Sequence, residues 1–488
     1  MIPNLTVKIG QLKLKNPVMV ASGTFGFGEE FTSFFDLNRL GAMVVKGLTL
    51  RPKAGNPPPR IVETPAGMLN AVGLENCGLE KFVTEKMPFL RQFKTPLIVN
   101  VNGKTIDEYV KLSEELSKVA GVSALELNLS CPNVKGGGMA FGVDPHMVYL
   151  VTSMVRRTTP LPLIVKLSPN VTDIKTIAQR AEEAGADGLS LINTLLGLAI
   201  DHKTGQPQLA HITGGLSGPA VKPIALRMVW EVSEQVNIPI IGMGGITGPA
   251  DALEFLAAGA VAVAVGTGSF INPQLPLEVI KGLEDYLAKE KMGDIHEIIG
   301  RFSREIIYRT LVEREALLEG HFWLSSGRHS GRYFQAALIL QDPSLASIWC
   351  TKLARKFKGE KIDLVIGPAL GGVIVAQEVA KSLGVRAIFT ERVSGKMQLR
   401  RGFRINPQER VLVVEDVITT GGSVKEVIEL VKQTKAEVVG VGALVDRSGG
   451  IELGFHPESL LQVEIETYAP DSCPLCQKDL PLVKPGSK

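Results

Sequence analysis

At 488 residues the chain is longer than one hydrophobic core normally serves, so two domains are expected. Its 53 Lys and Arg against 50 Asp and Glu leave a net charge of +3, too balanced for a general nucleic-acid surface. No apolar run reaches membrane-spanning length: the longest, 364–376, is broken by Gly367, Pro368, Gly371 and Gly372. The N-terminus lacks the charged-then-apolar plan of a signal peptide, and five scattered Cys fit the reduced thiols of a cytoplasm.

From the N-terminus, short apolar runs alternate with helix-compatible stretches. The runs are 16–23, 42–49, 96–103, 124–132, 162–169, 188–194, 239–246 and 262–270. Eight near-continuously apolar strands with helical intervals predict an α/β fold of the (β/α)8 TIM-barrel type over 1–292. At or just past their ends lie Ser22, Lys46, Asn100, Asn128, Lys166, Asn193, Gly244 and Gly266. Polar groups repeated at equivalent strand ends predict a ring around one pocket, because a barrel core does not bury Lys or Asn without partners. Gly244-Gly245 and Gly266-Thr267, after the seventh and eighth strands, fall where this fold binds phosphate. Cys131 follows the fourth strand beside Asn128 and Ser130; with an ordinary pKa of about 8.5 it could take up a proton near neutral pH.

The segments 70–74 (NAVGL), 128–133 (NLSCPN) with 134–138 (VKGGG), and 244–246 (GGI) resemble dihydroorotate dehydrogenase, and within it the NAD-linked class 1B. The resemblance implies FMN held by Ser22, Lys46, Gly47, Asn100, Asn128, Lys166, Ile192, Gly218, Gly244, Gly245, Gly266 and Thr267. It implies dihydroorotate held by Lys46, Asn70, Ala71, Val72, Gly73, Leu74, Asn128, Asn193 and Thr194. Cys131 is then the base that takes the C5 proton while hydride leaves C6. A Ser base and an N-terminal extension would mark the membrane-associated class, and the chain shows neither. Class 1B implies a separate FAD and iron–sulfur subunit linking to NAD. Consistently, the chain has no ferredoxin-like Cys spacing and no Rossmann fingerprint.

A charged, helix-prone stretch leads to a connector at 293–305, and the pattern then changes. Strands are predicted at 363–367, 386–391, 410–415 and 437–445, giving an open α/β domain over 306–488. Glu415 and Asp416 end an apolar strand and lead into Val417, Ile418, Thr419, Thr420, Gly421, Gly422 and Ser423. Paired carboxylates suit ribose hydroxyls, and a Thr/Gly/Ser turn at a helix start suits a phosphate. This run resembles the phosphoribosyl pyrophosphate (PRPP) signature of type I phosphoribosyltransferases, and 367–372 (GPALGG) resembles their pyrophosphate loop. Glu391, Arg392, Lys396, Arg400 and Arg401 fall where a mobile basic lid is expected, with Arg392 and Lys396 as PRPP contacts.

Segments 326–328 (SGR), 333–334 (YF) and 445–448 (VDRS) are similar to orotate phosphoribosyltransferase. That likeness implies Thr419 and Arg447 on orotate, Mg2+ with PRPP, and a homodimer. Two departures stand out: Ser325 replaces the Lys common before Ser-Gly-Arg, and the usual lid of several Lys and a His becomes Lys396 and Arg400-Arg401. Cys473-Pro-Leu-Cys476 resembles half of a zinc site; with no second pair and no nearby His in the sequence, it is expected to be a reduced, metal-free pair. The expected function is therefore oxidation of dihydroorotate to orotate followed by its phosphoribosylation. The alternatives are a barrel acting on a dihydropyrimidine such as dihydrouracil, and a second domain that senses PRPP without turnover. Regulators of the latter kind carry a DNA-binding appendage with no visible counterpart in this sequence.

Overall fold

The computed structural model describes residues 3–129, 139–324, 327–451, 453–463 and 465–484. It contains two compact units, Met1–Ser303 and Arg304–Lys488, and the division falls inside the helix Arg301–Glu313. No helix among the described residues is long and apolar enough to cross a membrane.

In the first unit eight parallel strands close into a barrel: β1 (Val18–Val20), β2 (Ala42–Leu48), β3 (Leu97–Val101), β4 (Val122–Asn128), β5 (Leu163–Lys166), β6 (Gly188–Leu191), β7 (Ile240–Met243) and β8 (Ala262–Val265). All eight expected strands are present, several of them shorter than the apolar runs. The runs overshoot because apolar residues continue into buried loops, where pairing has already ended. Helices outside the barrel turn one apolar stripe inward. Thr105 caps Ile106–Ser117 by accepting from Glu108 N, and Tyr109, Leu112 and Leu116 are its buried face. Asp173 caps Ile174–Glu183 in the same way, accepting from Lys175 N. The Tyr109 hydroxyl donates to the Asn128 carbonyl at 2.8 Å, tying that helix to the end of β4.

Two long connections, after β2 and after β6, supply an antiparallel sheet that the sequence reading did not foresee. Its strands run in the order Leu195–Leu198, Thr213–Ser217, Gly67–Asn70, Ile61–Thr64. Since both connections leave the carboxyl ends of barrel strands, the sheet belongs to the mouth face. Leu69, Ala71 and Leu209 give it a small core of its own. Residues 293–300 stay with the barrel: Ile295 N donates to the Asn4 carbonyl, and Ile295 and Ile298 join the main core.

The second unit begins its sheets with a hairpin, β9 (Leu317–Trp323) and β10 (His329–Phe334). An open six-stranded sheet follows: β11 (Leu364–Pro368), β12 (Arg386–Val393), β13 (Lys396–Leu399), β14 (Arg410–Ile418), β15 (Glu437–Asp446) and β16 (Glu458–Gln462). Its order is β13-β12-β11-β14-β15-β16, parallel except for β13, with one hydrophobic cluster on each side. Helices α1 (Gly371–Leu383) and α2 (Gly422–Gln433) follow β11 and β14. Two short strands near the C-terminus, β17 (Thr467–Tyr468) and β18 (Leu482–Val483), flank the β9–β10 hairpin on either side. The basic run expected as a loop is a hairpin, β12–β13. Its two-residue connection, Ser394 at φ 47° and Gly395 at φ 84°, has the left-handed geometry that a tight hairpin turn requires.

Candidate functional site

At the barrel mouth the strand-end residues meet around a group that the sequence reading missed. Glu126, in the middle of β4, is 1% exposed and accepts from Asn100 Nδ2 at 2.5 Å, Ser190 Oγ at 2.7 Å and Ser22 Oγ at 3.4 Å. Lys166 Nζ lies 4.0 Å from the same carboxylate and donates to Ser22 Oγ at 3.2 Å. Asn100 Oδ1 in turn accepts from Asn102 Nδ2 at 2.9 Å and from Asn128 Nδ2 at 3.4 Å. A lone charge between Leu125 and Leu127 in a buried strand was the available signal for Glu126. Gly47 explains itself sterically: a Cβ there would stand 2.4 Å from Asn102 Nδ2 and 2.8 Å from Asn100 Oδ1. Lys46, beside it on β2, is only partly buried.

Around the rim, Ile192 N donates to the Met243 carbonyl at 3.0 Å, joining the ends of β6 and β7. Gly244 and Gly245 follow β7; Gly245 has φ 79°, and a Cβ would meet the Gly218 carbonyl at 2.9 Å. Gly266 and Thr267 follow β8, and Thr267 Oγ1 donates to Ser217 Oγ at 2.8 Å, immediately before Gly218. Asn193 Nδ2 donates to Asn128 Oδ1 at 3.4 Å, and Asn193 Oδ1 accepts from the Thr194 amide at 2.8 Å. Asn70 Nδ2 reaches the Gly215 carbonyl at 3.2 Å, and Ala71 to Leu74 continue from that sheet. Asn56 holds this segment, donating from Nδ2 to the Ala71 carbonyl at 2.8 Å and from its amide to the Val72 carbonyl at 2.9 Å. Cys131, with Ser130 and 132–138, lies outside the described residues.

In the second unit Glu415 through Ile418 form the end of β14, Thr419 and Thr420 make the turn, and Gly421 at φ 69° leads into α2 with Gly422 and Ser423. Glu415 is buried, and its carboxyl is pushed up to about 9, by desolvation first and by the charge of Asp416 second. The expected pyrophosphate loop packs beneath the pair. A Cβ on Gly371 would overlap the Asp416 carboxylate, and one on Gly372 would stand 3.1 Å from Glu415 Oε1. Arg447 follows β15 and is held beside the turn by its amide, which donates to the Ile418 carbonyl at 2.8 Å. Its Nε is buried without a hydrogen-bond partner among the described residues. Burial depresses its pKa, and the nearby Tyr333 opposes that shift. Of the basic run, Arg392 pairs with Glu426 of α2 at 2.8 Å and Arg401 with Glu391 at 2.8 Å, so the hairpin is pinned by one ion pair to α2 and one within the run.

The Cys473–Cys476 pair does have histidines at hand. His321 and His329, far away in the sequence, stand within 4.8 Å of both sulfurs.

Comparison with known proteins matches the family model described as dihydroorotate dehydrogenase to residues 4–287, and that of a phosphoribosyl transferase domain to residues 340–464. A dihydroorotate dehydrogenase B (NAD(+)) catalytic subunit from Geotalea daltonii is 58% identical over 298 residues, 61% of this chain and 98% of its own length. The protein of the same name from Trichlorobacter lovleyi is 57% identical over 300 residues, 62% of this chain and 99% of its length. That from Thermoanaerobacter sp. is 54% identical over 297 residues, 61% of this chain and 98% of its length. Fold and site thus define a two-domain enzyme, an α/β-barrel oxidoreductase continued by a phosphoribosyl transferase domain. The chain belongs to the dihydroorotate dehydrogenase family, which places its barrel in pyrimidine biosynthesis.

Removing Glu126 strands a buried ammonium among amides. Glu126→Ala is expected to cost about 3–5 kcal/mol in urea denaturation of the first unit. Lys166→Met added to it should recover part of that loss, whereas simple additivity would show that the two charges do not interact. Glu415 gives a second expectation. Its folded pKa, about 9, exceeds the ordinary 4.5, so the folded chain keeps a proton that the unfolded chain releases. The associated stability is complete below pH 4.5 and disappears as pH rises through 9. Thermal melts across that window should show the decline in the second unit and lose it in Glu415→Gln.

Proposed function

We propose that the chain catalyses two consecutive steps: dihydroorotate is oxidised to orotate in the barrel, and orotate then receives phosphoribose from PRPP in the second unit. The products of the second step are orotidine 5′-phosphate and pyrophosphate. The observation that carries this reading is Arg447, a buried guanidinium with an unpartnered Nε beside the carboxylate-and-turn crevice. A desolvated cation there suits an anionic ring substituent, and the carboxylate of orotate is one. A sensor of PRPP alone has no need of the cation.

The barrel residues fit FMN. Asn102 Oδ1 is a buried acceptor without a partner among the described residues, on a side chain that packs directly against Gly47. Ser22, Lys46, Gly47, Asn100, Asn128 and Lys166 would hold the flavin ring, and Ile192, Gly218, Gly244, Gly245, Gly266 and Thr267 its ribityl phosphate. FMN supplies the hydride acceptor when bound. The chain's own groups do the rest. Asn70, Asn128 and Asn193 pair with the amide edges of the pyrimidine, and Lys46 offsets its charge. Ala71 to Leu74 and Thr194 close around the ring. Cys131 takes the proton from C5 as the hydride leaves C6, so substrate loses two protons and two electrons in all, one proton to the base and the rest as hydride.

In the second unit Asp416 accepts from the ribose hydroxyls, with Glu415 supporting it from the buried side. Thr419 to Ser423 surround the 5′-phosphate through backbone N–H groups and hydroxyls. The bond from ribose C1 to pyrophosphate breaks as orotate N1 attacks, and Arg392 and Lys396 offset the charge of the leaving group. Thr419 and Arg447 orient orotate. Mg2+ arriving with PRPP adds positive charge. Electrons leaving the barrel pass to a separate FAD and iron–sulfur subunit, a reading supported by the relatives' designation as catalytic subunits of an NAD(+) enzyme. Homodimerisation of the second unit completes the proposal.

The purified chain should be yellow and should convert dihydroorotate plus PRPP to orotidine 5′-phosphate when given an electron acceptor. Colourless, folded protein that cannot take up FMN would end the barrel reading. Cys131→Ala should slow dihydroorotate oxidation by about 10²-fold or more while keeping the flavin spectrum. Arg447→Ala should lower kcat/KM for orotate by about 100-fold and leave PRPP binding intact. Unchanged orotate kinetics in that variant would remove the argument for orotate as acceptor.

A further inference from the structure

Four side chains that neither proposed reaction uses meet in the second unit, on the sheet β17-β10-β9-β18. His321 stands on β9 and His329 at the start of β10, adjacent strands of one hairpin. Cys473 and Cys476 belong to the segment that crosses from β17, paired with β10, to β18, paired with β9. His321 is registered opposite Leu482 and His329 opposite Tyr468, so the crossing segment is anchored at both ends next to the imidazoles. His321, His329 and Cys473 are buried, and Cys476 is exposed.

The hydrogen bonding identifies the atoms that face one another. His321 Nδ1 lies 2.9 Å from the Leu480 carbonyl, which can only accept, so that nitrogen carries the proton and Nε2 keeps a lone pair. Around Nε2 stand His329 Nδ1 at 3.0 Å, Cys473 Sγ at 3.5 Å and Cys476 Sγ at 3.7 Å, and Cys476 Sγ is 3.3 Å from His329 Nδ1. His321 Nε2 has one lone pair for three neighbours, so a proton donated from any of them satisfies only one of its contacts. A cation at the centre satisfies all four.

We propose that His321 Nε2, His329 Nδ1, Cys473 Sγ and Cys476 Sγ bind one zinc ion. Tetrahedral coordination with Zn–N of about 2.05 Å and Zn–S of about 2.3 Å places ligand atoms about 3.3 Å apart for two nitrogens and about 3.6 Å apart for nitrogen and sulfur. The observed separations of 3.0 Å and of 3.3 to 3.7 Å follow that pattern. Two thiolates neutralise the divalent charge, which makes the site tolerable in a buried position. An S2N2 set selects zinc over harder cations. The Leu480 carbonyl supplies the outer hydrogen bond that fixes the ring of a ligating histidine. Four protein ligands leave no open position, so the ion is structural. It clips the C-terminal segment across the hairpin. Strands β17 and β18, two residues each, offer little pairing of their own. The hairpin loop is tied to the same segment, since Arg328 donates from Nε to Thr467 Oγ1 at 2.9 Å and from Nη2 to the Thr467 carbonyl at 2.7 Å.

The test is elemental analysis of the full chain, purified without chelator from cells supplied with zinc. About one zinc per chain is expected, and a Cys473→Ser/Cys476→Ser variant should fall close to none. Replacing zinc by cobalt should give the visible bands of a tetrahedral ion together with a thiolate charge-transfer band. Stripping the metal from the unmutated protein should speed proteolysis within 467–484, and added zinc should restore resistance. The proposal is overturned if the unmutated chain holds iron or no metal, if the double serine variant keeps its zinc, or if the cobalt protein lacks the thiolate band. None of these readouts depends on the orotate chemistry.

Discussion

A carboxylate sealed inside a barrel is costly unless every lone pair is answered, and Glu126 is answered from four other strands or their ends. Asn100 on β3, Lys166 on β5, Ser190 on β6 and Ser22 after β1 all face it. Each of these side chains is thereby held in one rotamer, and Asn128 and Asn193 are held one step further out. The mouth is consequently rigid before any ligand arrives. Preorganised amides and an ammonium are what a planar, hydrogen-bonding ring system requires of its site.

The second unit handles burial in the opposite way. Among the described residues Glu415 has no cation beside it, and it is kept protonated by desolvation and by Asp416. Among the described residues Arg447 Nε is left without a hydrogen-bond partner. The barrel neutralises its charges internally, whereas among the described residues this crevice leaves a cation and an acidic pair uncompensated. Its basic hairpin, by contrast, is already paired: Arg392 with Glu426 and Arg401 with Glu391. Those pairs are exposed and each is worth little, so phosphate oxygens can compete for the guanidinium groups.

Much of the architecture was legible because parallel strands buried on both faces advertise themselves as apolar runs. Glycine positions were equally readable, since a Cβ on Gly47 or Gly371 would overlap side chains that the motif also contains. The antiparallel sheet over the mouth was not. Its strands come from connections over a hundred residues apart, and Leu195–Leu198 alternates exposed and half-buried residues instead of forming an apolar run. Of the hairpin at 386–399 the first strand was read, but the return strand was hidden for a related reason, because its charges suggested a mobile basic lid while cross-strand pairing and ion pairs shape it.

Local order along the chain was enough to settle the eight barrel strands, the glycine turns and the acidic pair near the end of β14, since each depends on neighbours within a few residues. Which groups share a lone pair was decided only by folding. Glu126 carries no motif, and its role exists because barrel closure brings Ser22 and Lys166 to the same carboxylate. Cys473 and Cys476 looked like half a site because their complement, His321 and His329, lies far earlier in the chain, 152 positions separating His321 from Cys473. Side-chain chemistry is written residue by residue, but coordination and charge compensation act through space, and only the tertiary fold sets those distances.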